Sequence, residues 1–338
     1  MRVLGLESSC DDTGLALVDS DRRVLGDVRA SQVSVHSRYK GVVPELAARE
    51  HVGAWLPLVQ ELERQIGAKL RECVDVIAVT QGPGLIGGLL VGVQFACGMG
   101  LAWNKPVLGV NHLAAHALTP RLSDAATFPY LLLLASGGHC FFALVRGARS
   151  FEILGETLDD AAGEAFDKVA ALLDLGFPGG PKVEQAALMG DASSYTLPTP
   201  LQGKTAGDVS FSGLKNAVRL LVQQEQPLTS QKKANIAAVF QKKAIAHLCT
   251  VLERHCAAHP DITTLAVAGG VAANAHLRSA LLDVAARQGK TCLIPPPGLC
   301  TDNGAMIAWC GLEWWQAGYR SPIPIAAKPR WYLQEIQP

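Results

Sequence analysis

The sequence predicts an α/β protein with a duplicated architecture. Two apolar β-hairpins of the same kind occur in it, over residues 3–18 and 130–145, and each is followed by helices and further strands. Helix-like and strand-like segments alternate along the chain without a low-complexity linker. With 338 residues, of which 49% are hydrophobic and 18% charged, the chain is long enough for two packed lobes. A nucleotide between facing hairpin tips would have its phosphates held from both sides.

The first half ends in a helix that carries two histidines. The elements predicted before that helix are, in order, a strand over residues 3–7, a polar turn over 8–14, a returning strand over 15–18, a helix over 44–66 and strands over 74–80 and 106–110. The helix with His112 and His116 follows the last strand at once. This order places both imidazoles at the carboxyl edge of a strand, where open α/β sheets bind ligands.

The second half repeats the hairpin and continues in long helices. Its predicted elements are strands over residues 130–134 and 141–145, helices over 161–173 and 182–189, a loop over 195–208, helices over 212–225 and 230–258, a strand over 264–268, a helix over 272–288, a strand over 291–294 and a last helix through 309. The segment Pro178-Gly179-Gly180-Pro181 is expected to separate the first two helices. Asp302 lies where a proline-rich loop enters the last helix.

Composition indicates a cytoplasmic protein. The N-terminus has no secretory pattern, and nine scattered cysteines without CxxC pairs are typical of core residues in a reducing compartment. Residues 85–103 are almost continuously apolar, but five glycines and Gln94 favour a tightly packed helix over a membrane span. That helix packs either inside the protein or against another chain. Formal net charge is zero, so nothing global indicates nucleic acid.

His112, His116 and Asp302 form a candidate metal site. Imidazoles four residues apart on a helix point from one face, so one divalent ion can contact both while an aspartate from elsewhere completes an open, three-ligand site. The alternative is a pair of histidines that only cap or pack a short helix. A zinc protease of the HExxH type would need glutamate after the first histidine, and Leu113 occupies that position, so peptide hydrolysis is disfavoured.

Two glycine loops suit close approach of backbone to phosphate or ribose. They are Ala135-Ser136-Gly137-Gly138-His139 and Ala268-Gly269-Gly270-Val271. Asp11, at the tip of the first hairpin, is either an ordinary turn residue or a carboxylate that accepts a proton or orients a reacting group. Metal and nucleotide are therefore the predicted ligands.

Several longer motifs occur in a fixed order over nearly the whole chain. They are Glu7-Ser8-Ser9-Cys10-Asp11-Asp12-Thr13, Gly41-Val42-Val43-Pro44-Glu45, Gly82-Pro83-Gly84, the His112/His116 pair, Ser136-Gly137-Gly138-His139, Asp159-Asp160-Ala161-Ala162-Gly163-Glu164-Ala165-Phe166-Asp167-Lys168, Pro178-Gly179-Gly180-Pro181, Phe211-Ser212-Gly213-Leu214-Lys215, Ala268-Gly269-Gly270-Val271 and Cys300-Thr301-Asp302-Asn303-Gly304. In these motifs the chain resembles the bacterial TsaD family, the tRNA N6-adenosine threonylcarbamoyltransferases, formerly described as O-sialoglycoprotein endopeptidases.

The resemblance implies an actin-like fold of the sugar-kinase and heat-shock ATPase type. Residues 1–126 would form the first lobe, completed by residues 303–338, and residues 127–302 would form the second. The implied reaction is transfer of the threonylcarbamoyl group from threonylcarbamoyl-adenylate to N6 of adenosine 37 in tRNAs that read codons beginning with A. Implied protein partners are TsaB and TsaE. An ATP-dependent phosphotransferase of the same fold and a non-catalytic scaffold subunit are the alternatives.

The resemblance also assigns roles to individual residues. His112, His116 and Asp302 would bind one divalent ion, Fe²⁺ or alternatively Zn²⁺, and Asp11 would be the catalytic residue. The adenylate would be held by Ala135, Ser136, Gly137, Gly138, His139, Asp167, Gly180 and Asn274. The chain departs from the usual family pattern at Ala114-Ala115, Asp12 and Cys140, which puts the surroundings of the ligands in doubt but not the ligands.

Overall fold

The chain divides into two compact units. The computed structural model describes residues 1–39, 41–201 and 207–337. Unit 1 comprises Met1–Thr127, Arg146–Phe151 and Thr301–Pro338, and unit 2 comprises Phe128–Val145 and Glu152–Cys300. Thr127 and residues 146–151 and 301–302 thus group with unit 1, whereas they were expected in the second lobe. Of the loop expected over residues 195–208, residues 202–206 lie outside the described part.

Strands and helices alternate through the described residues. The strands are β1 (Arg2–Glu7), β2 (Asp12–Asp19), β3 (Val24–Ser31), β4 (Val76–Gly82), β5 (Val107–Asn111), β6 (Tyr130–Ala135), β7 (Cys140–Gly147), β8 (Ser150–Glu156), β9 (Thr264–Ala268) and β10 (Thr291–Leu293). The helices are α1 (Val33–His36), α2 (Pro44–Ile66), α3 (Leu70–Cys73), α4 (Ile86–Trp103), α5 (His112–Asp124), α6 (Ala162–Leu172), α7 (Gly179–Ala187), α8 (Ser212–Gln224), α9 (Ser230–Ala258), α10 (Ala275–Arg287), α11 (Pro297–Cys300) and α12 (Gly304–Gln316). Short 3₁₀ turns cover Ser37–Tyr39, Gly270–Ala273 and Leu333–Glu335.

Both units contain a five-stranded sheet with the same strand order. In unit 1 the order is β3-β2-β1-β4-β5, in which β1, β2 and β3 are antiparallel neighbours and β1, β4 and β5 are parallel. In unit 2 the order is β10-β9-β6-β7-β8, with β6 antiparallel to β7 and parallel to β9. Each unit therefore has a meander of three strands followed by two parallel strands. This repetition confirms the predicted duplicated α/β architecture.

The third strand of each meander was not predicted from the sequence. β3 is exposed or partly buried except at Val28, and β8 is mostly half-buried. Neither strand carries the continuous apolar run that marks β1 or β6, since each lies at the edge of its sheet.

Helix α7 begins earlier than expected. The prediction placed its start at Lys182, after a break, but the helix starts at Gly179 and includes Pro181 in its first turn. Proline is tolerated there because the first N–H groups of a helix have no intrahelical acceptor. The Pro-Gly-Gly-Pro motif is therefore a helix start, with Pro178 immediately before it.

Helix α4 is long and apolar enough to cross a membrane by length and composition alone, with a mean hydropathy of 1.6. Its glycines nevertheless approach other parts of unit 1. A Cβ at Gly92 would collide with the Ser8 hydroxyl, and one at Gly88 would collide with the Ser8 carbonyl oxygen and lie 3.0 Å from His51 Nε2. These contacts are those of a helix packed inside its own unit.

Helix α12 packs onto the first hairpin with its backbone. A Cβ added at Gly5 would collide with the carbonyl oxygen of Gly304 and the N–H of Ala308. A Cβ on Gly304 would meet the backbone of Leu15 and Ala16, and one on Gly14 would lie 2.7 Å from the Gly304 nitrogen. Glycine is required at these positions because no side chain fits between helix and strands. The start of α12 is thereby fixed against β1 and β2.

Substitution Gly5→Ala should destabilise unit 1 by about 2–3 kcal/mol, because the methyl group can be accommodated only by moving α12 off β1. Chemical denaturation measures this change. Gly53→Ala is the matched control: Gly53 lies inside α2, where a Cβ would meet no atom within 4 Å, so the change should stabilise the protein by up to about 1 kcal/mol. Equal stabilities for the two variants would contradict the close contact.

Candidate functional site

Helix α5 begins with its first histidine because Asn111 caps it. The Asn111 side-chain oxygen accepts hydrogen bonds from the N–H groups of Leu113 and Ala114 at 2.9 and 3.1 Å, and its Nδ2 donates to the Trp331 carbonyl at 3.0 Å. His112 thus occupies the first helical position and His116 follows one turn later. Their ring centres are 4.7 Å apart, edge to face. The predicted shared face of the two imidazoles is present.

Asp302 reaches this face from the start of α12. The helix is capped by Asn303, whose side-chain oxygen accepts from the N–H of Met306 at 2.8 Å. Asp302 Oδ1 lies 3.0 Å from His116 Nε2 and 3.6 Å from His112 Nε2. One donor atom from each of the three residues lies within 4.8 Å of the others. The structure therefore brings His112, His116 and Asp302 together as a possible metal site inside unit 1.

Glu7 holds the other side of the His112 ring. Its Oε2 lies 2.9 Å from His112 Nδ1 and accepts from the Thr80 hydroxyl at 2.7 Å, while Oε1 accepts from the Ser9 N–H at 2.5 Å. Because a carboxylate only accepts, Nδ1 carries the proton and donates it to Glu7. His112 Nε2 is then directed at Asp302. Such a carboxylate-histidine pair is the usual outer support of a metal-binding imidazole.

Charge within this cluster favours protonated His112 when no cation is bound. Burial alone would lower the pKa of His112, but the carboxylates of Glu7 and Asp302 together raise it to about 9. Burial alone would raise the pKa of Glu7, and the attraction of His112 outweighs this effect, so the pKa of Glu7 is lowered. A metal at Nε2 must replace the proton there, because the ligating form of histidine is neutral.

Asp11 lies in the connection between β1 and β2. It is half-buried, and its carbonyl oxygen accepts from the N–H of Gln32 at 3.2 Å. Its neighbour Asp12 has one carboxylate oxygen that is buried without a hydrogen-bond partner among the described residues. Burial raises the pKa of Asp12 to about 6, although Arg29, 3.9 Å away, favours the charged form. Two carboxylates therefore stand side by side in this turn.

The first predicted glycine loop forms a tight turn in unit 2. Ser136 N–H donates to the His139 carbonyl at 2.8 Å, and His139 N–H donates to the Ser136 hydroxyl at 3.1 Å. Among the described residues, no atom lies within 4 Å of the place where a Cβ on Gly137 or Gly138 would stand. A Cβ on Gly269, which has φ +90°, would collide with the carbonyl of Ala135. The two predicted glycine loops are thus in direct contact.

Asp167 lies on the same side of α6 as this turn. Gly163 N–H donates to the Ser136 carbonyl at 3.1 Å, and Asp167 follows Gly163 by four residues, so both share one helix face. Asp167 Oδ1 accepts from Gly179 N–H at 2.7 Å, which joins α6 to the start of α7, next to Gly180. A Cβ on Gly180 would meet no atom within 4 Å.

The side chain of Asn274 forms hydrogen bonds to other residues of unit 2. Its side-chain oxygen caps α10 by accepting from the N–H of Leu277 at 2.9 Å, and its Nδ2 donates to Gln241 Oε1 at 2.9 Å. The substrate contact expected of Asn274 stays a prediction. Its amide has protein partners at both its oxygen and its nitrogen, and it follows the Gly269-Gly270 loop that touches Ala135.

Residues 23–309 match the profile of TsaD, tRNA N6-adenosine threonylcarbamoyltransferase. The chain belongs to the TsaD family. A tRNA N6-adenosine threonylcarbamoyltransferase of Paracoccus denitrificans is 52% identical over 336 residues, covering 98% of this chain and 94% of that protein. One of Paramagnetospirillum magneticum is 49% identical over 338 residues, covering 98% and 97%.

Solved structures of low sequence identity share the fold of this TsaD-family chain. Component A of the Acidaminococcus fermentans (R)-2-hydroxyglutaryl-CoA dehydratase aligns with a TM-score of 0.54 at 15% identity, covering 94% of this chain and all of that one. HypF of T. kodakarensis aligns with a TM-score of 0.61 at 13% identity, covering 95% and 48%. The expected actin-like fold is confirmed. The chain is a transferase that threonylcarbamoylates adenosine in tRNA.

Glu7 is the contact that sequence reasoning missed in this TsaD-family site. It was noted only as part of a motif, because its partner His112 is 105 residues away. One signal was available: Glu7 is a charged residue that closes a strand whose other members, after Arg2, are apolar and fully buried. A carboxylate in such a place requires a partner of opposite charge or several hydrogen-bond donors.

The affinity of the protein for Zn²⁺ should rise with pH by up to about tenfold per pH unit between pH 6 and 8. The reason is that His112 is protonated below its pKa of about 9, and the metal must displace that proton. In Glu7→Gln, one of the two carboxylates that raise this pKa is lost, so the rise should be shallower. Competition with a chelator at each pH measures the slope. Glu61→Gln, which removes an exposed carboxylate paired with Arg64, should keep the original slope, and equal slopes in all three proteins would contradict the assignment.

Proposed function

We propose that this chain transfers the threonylcarbamoyl group from threonylcarbamoyl-adenylate to N6 of adenosine 37 in tRNAs that read codons beginning with A. Membership of the TsaD family over residues 23–309 carries the proposal. The grouping of His112, His116 and Asp302 supports it, because a non-catalytic scaffold gives no reason for these three side chains to meet beside a glutamate-supported imidazole.

His112, His116 and Asp302 are proposed to hold one divalent ion, Fe²⁺ in the first instance and Zn²⁺ as the alternative. Two imidazoles and one carboxylate are a ligand set that both ions accept, and three protein ligands leave positions open. When bound, the ion supplies Lewis-acid polarisation of an oxygen of the substrate. Glu7 keeps the proton of His112 on Nδ1 and so leaves Nε2 available to the ion.

The adenylate is proposed to bind unit 2 through Ala135, Ser136, Gly137, Gly138, His139, Asp167, Gly180 and Asn274. The open space over Gly137, Gly138 and Gly180 supports this role, since a phosphate or ribose can approach backbone that carries no side chain. Asp167 holds the start of α7 through Gly179. Asn274 is expected to act by fixing the loop that touches Ala135, because its amide already has two protein partners.

Asp11 is proposed to accept the proton of the attacking amine. N6 of adenosine is a weak nucleophile because its lone pair is delocalised into the ring. Its nitrogen forms a bond to the carbamoyl carbon, the bond from that carbon to the phosphate oxygen breaks, and AMP leaves. One N6 proton must then be removed, and a half-buried carboxylate in a fixed turn suits that task.

TsaB and TsaE are proposed as protein partners in the cytoplasm. Helices α2 and α4 of unit 1 together leave large apolar side chains exposed: Val52 and Leu56 by 64% and 63%, and Ile86 and Leu90 by 49% and 46%. An apolar surface of this kind is typical of a protein contact. We propose that TsaB docks on this apolar surface of α2 and α4. The exposed apolar side of α4 would then contact a protein and not a membrane.

Incubation of tRNA with the chain, threonine, bicarbonate, ATP and the companion proteins should yield the modified nucleoside. Asp11→Asn should lower the transfer rate about 100-fold or more, because it removes the proposed proton acceptor without changing size. Mass spectrometry of digested tRNA measures the product. No modified nucleoside in the complete mixture, together with phosphorylation of a small acceptor, would instead support the phosphotransferase alternative.

The variants His112→Ala and Asp302→Ala should each lose bound metal and lower transfer on the order of 100-fold or more. Elemental analysis of anaerobically purified protein measures the metal and identifies it. His276→Ala, at an exposed position of unit 2, is the control and should keep both metal and activity. Unchanged metal content in either ligand variant would remove that residue from the site.

A further inference from the structure

We propose that His51 is a positioning residue that holds the turn carrying Asp11 in its working geometry. The proposal rests on the role proposed above for Asp11. His51 lies on α2 and is completely buried. Its Nε2 is 3.1 Å from the carbonyl oxygen of Cys10, and its Nδ1 is 2.7 Å from the hydroxyl of Thr13. The ring therefore bridges the residues immediately before and after the Asp11-Asp12 pair.

The partners of the ring require one defined tautomer. A carbonyl oxygen only accepts, so Nε2 carries the proton and donates it to Cys10. Nδ1 then accepts from the Thr13 hydroxyl. Burial lowers the pKa of His51, which keeps the ring neutral, as this pattern requires.

Gln32 supports both His51 and the same turn. Its backbone N–H donates to the Asp11 carbonyl at 3.2 Å. Its side-chain Nε2 donates to the Ala47 carbonyl at 3.3 Å and lies 3.4 Å from His51 Nδ1. Gln32 is 4% exposed. The Cys10 carbonyl is thus held by the side chain of His51, and the Asp11 carbonyl is held by the backbone of Gln32. Both partners are more than twenty positions away in the sequence.

The chain of hydrogen bonds continues to the start of α2. His36 Nε2 donates to Gln32 Oε1 at 3.0 Å, and His36 Nδ1 accepts from the N–H of Val43 at 3.3 Å. Each of these two bonds pairs one donor with one acceptor, so the Val43 N–H is connected through His36 to Gln32. This gives a role to the Gly41-Val42-Val43-Pro44-Glu45 motif, which the proposed chemistry does not otherwise use.

Packing prevents the ring from leaving this position. A Cβ on Gly88 of α4 would lie 3.0 Å from His51 Nε2 and 3.1 Å from its Cδ2. Ser8, in the same turn segment, donates its hydroxyl hydrogen to the Gly88 carbonyl at 3.0 Å. A histidine that served stability alone could bond anywhere in the core. Here both ring nitrogens bond to the segment that carries Asp11, which favours positioning.

The test compares His51→Leu with His51→Gln in the complete reaction. The leucine removes both hydrogen bonds and should lower the transfer rate at saturating tRNA about 10- to 100-fold, with the KM for tRNA and the metal content unchanged within about twofold. Glutamine can place an amide N–H near the Nε2 position and should restore most of the rate. His255→Leu is the matched control, because His255 is a buried histidine of unit 2 that donates to the Gly207 carbonyl at 2.9 Å. The His255→Leu protein should be less stable but should keep the wild-type transfer rate.

A double-mutant cycle separates positioning from general destabilisation. If His51 acts through Asp11, His51→Leu should cause little further loss in an Asp11→Asn background. A loss of equal size in both backgrounds, or a folded His51→Leu protein with an unchanged rate, would overturn the proposal. If Asp11→Asn itself keeps full activity, the role proposed for Asp11 fails first, and the two failures are distinguished.

A more conservative substitution tests the same proposal if the His51→Leu protein does not fold. Thr13→Val keeps the volume of the side chain and removes only the hydroxyl that donates to His51 Nδ1. It should lower the rate about threefold to tenfold with an unchanged KM. A folded Thr13→Val protein with the full rate would equally count against His51 as a positioning residue.

Discussion

The candidate metal site depends on the close backbone contact between helix α12 and the first hairpin. Gly5, Gly14 and Gly304 let the helix start rest directly on β1 and β2, where any side chain would collide with backbone. Asp302 immediately precedes the capped start of this helix, so its carboxylate arrives at His116 because of where the helix begins. A shift of the helix by the width of one methyl group would move Asp302 away from both imidazoles.

The parallel strands of unit 1 explain why the remaining groups meet at one place. Glu7 ends β1, Thr80 lies near the end of β4, and His112 follows β5 directly. These strands are neighbours in the order β1-β4-β5 and run parallel, so their carboxyl ends share one edge of the sheet. The hydrogen bonds from Thr80 and His112 to Glu7 follow that edge. Ligand sites of open α/β sheets occur at this edge.

Local sequence patterns predicted the parts of this site that depend on local geometry. The spacing of His112 and His116 specifies one helix face, and the apolar runs of the two hairpins predicted the duplicated fold. Asp302 was predicted as the third ligand from its residue type, and the family motif implied the same role, although no local pattern joins residues 186 positions apart. Glu7, Gln32 and His51 were not predicted as contacts for the same reason. The edge strands β3 and β8 were not predicted because half-exposed strands lack a continuous apolar run. The start of α7 was placed too late because a proline in the first turn of a helix resembles a helix break.

Charge balance ties these contacts to the proposed metal. The carboxylates of Glu7 and Asp302 both face the His112 imidazole and keep it protonated. Two negative charges and one positive charge leave this largely buried cluster with a net charge of minus one. A divalent ion that replaced the proton would bring the same groups to neutrality, with Glu7 still paired to the Nδ1 proton. Buried unbalanced charge is costly. The cluster is therefore better satisfied by a dication than by a proton. Glu7 contacts His112 through Nδ1 and not through the nitrogen that faces Asp302, and it supplies one of the two negative charges on which this preference depends.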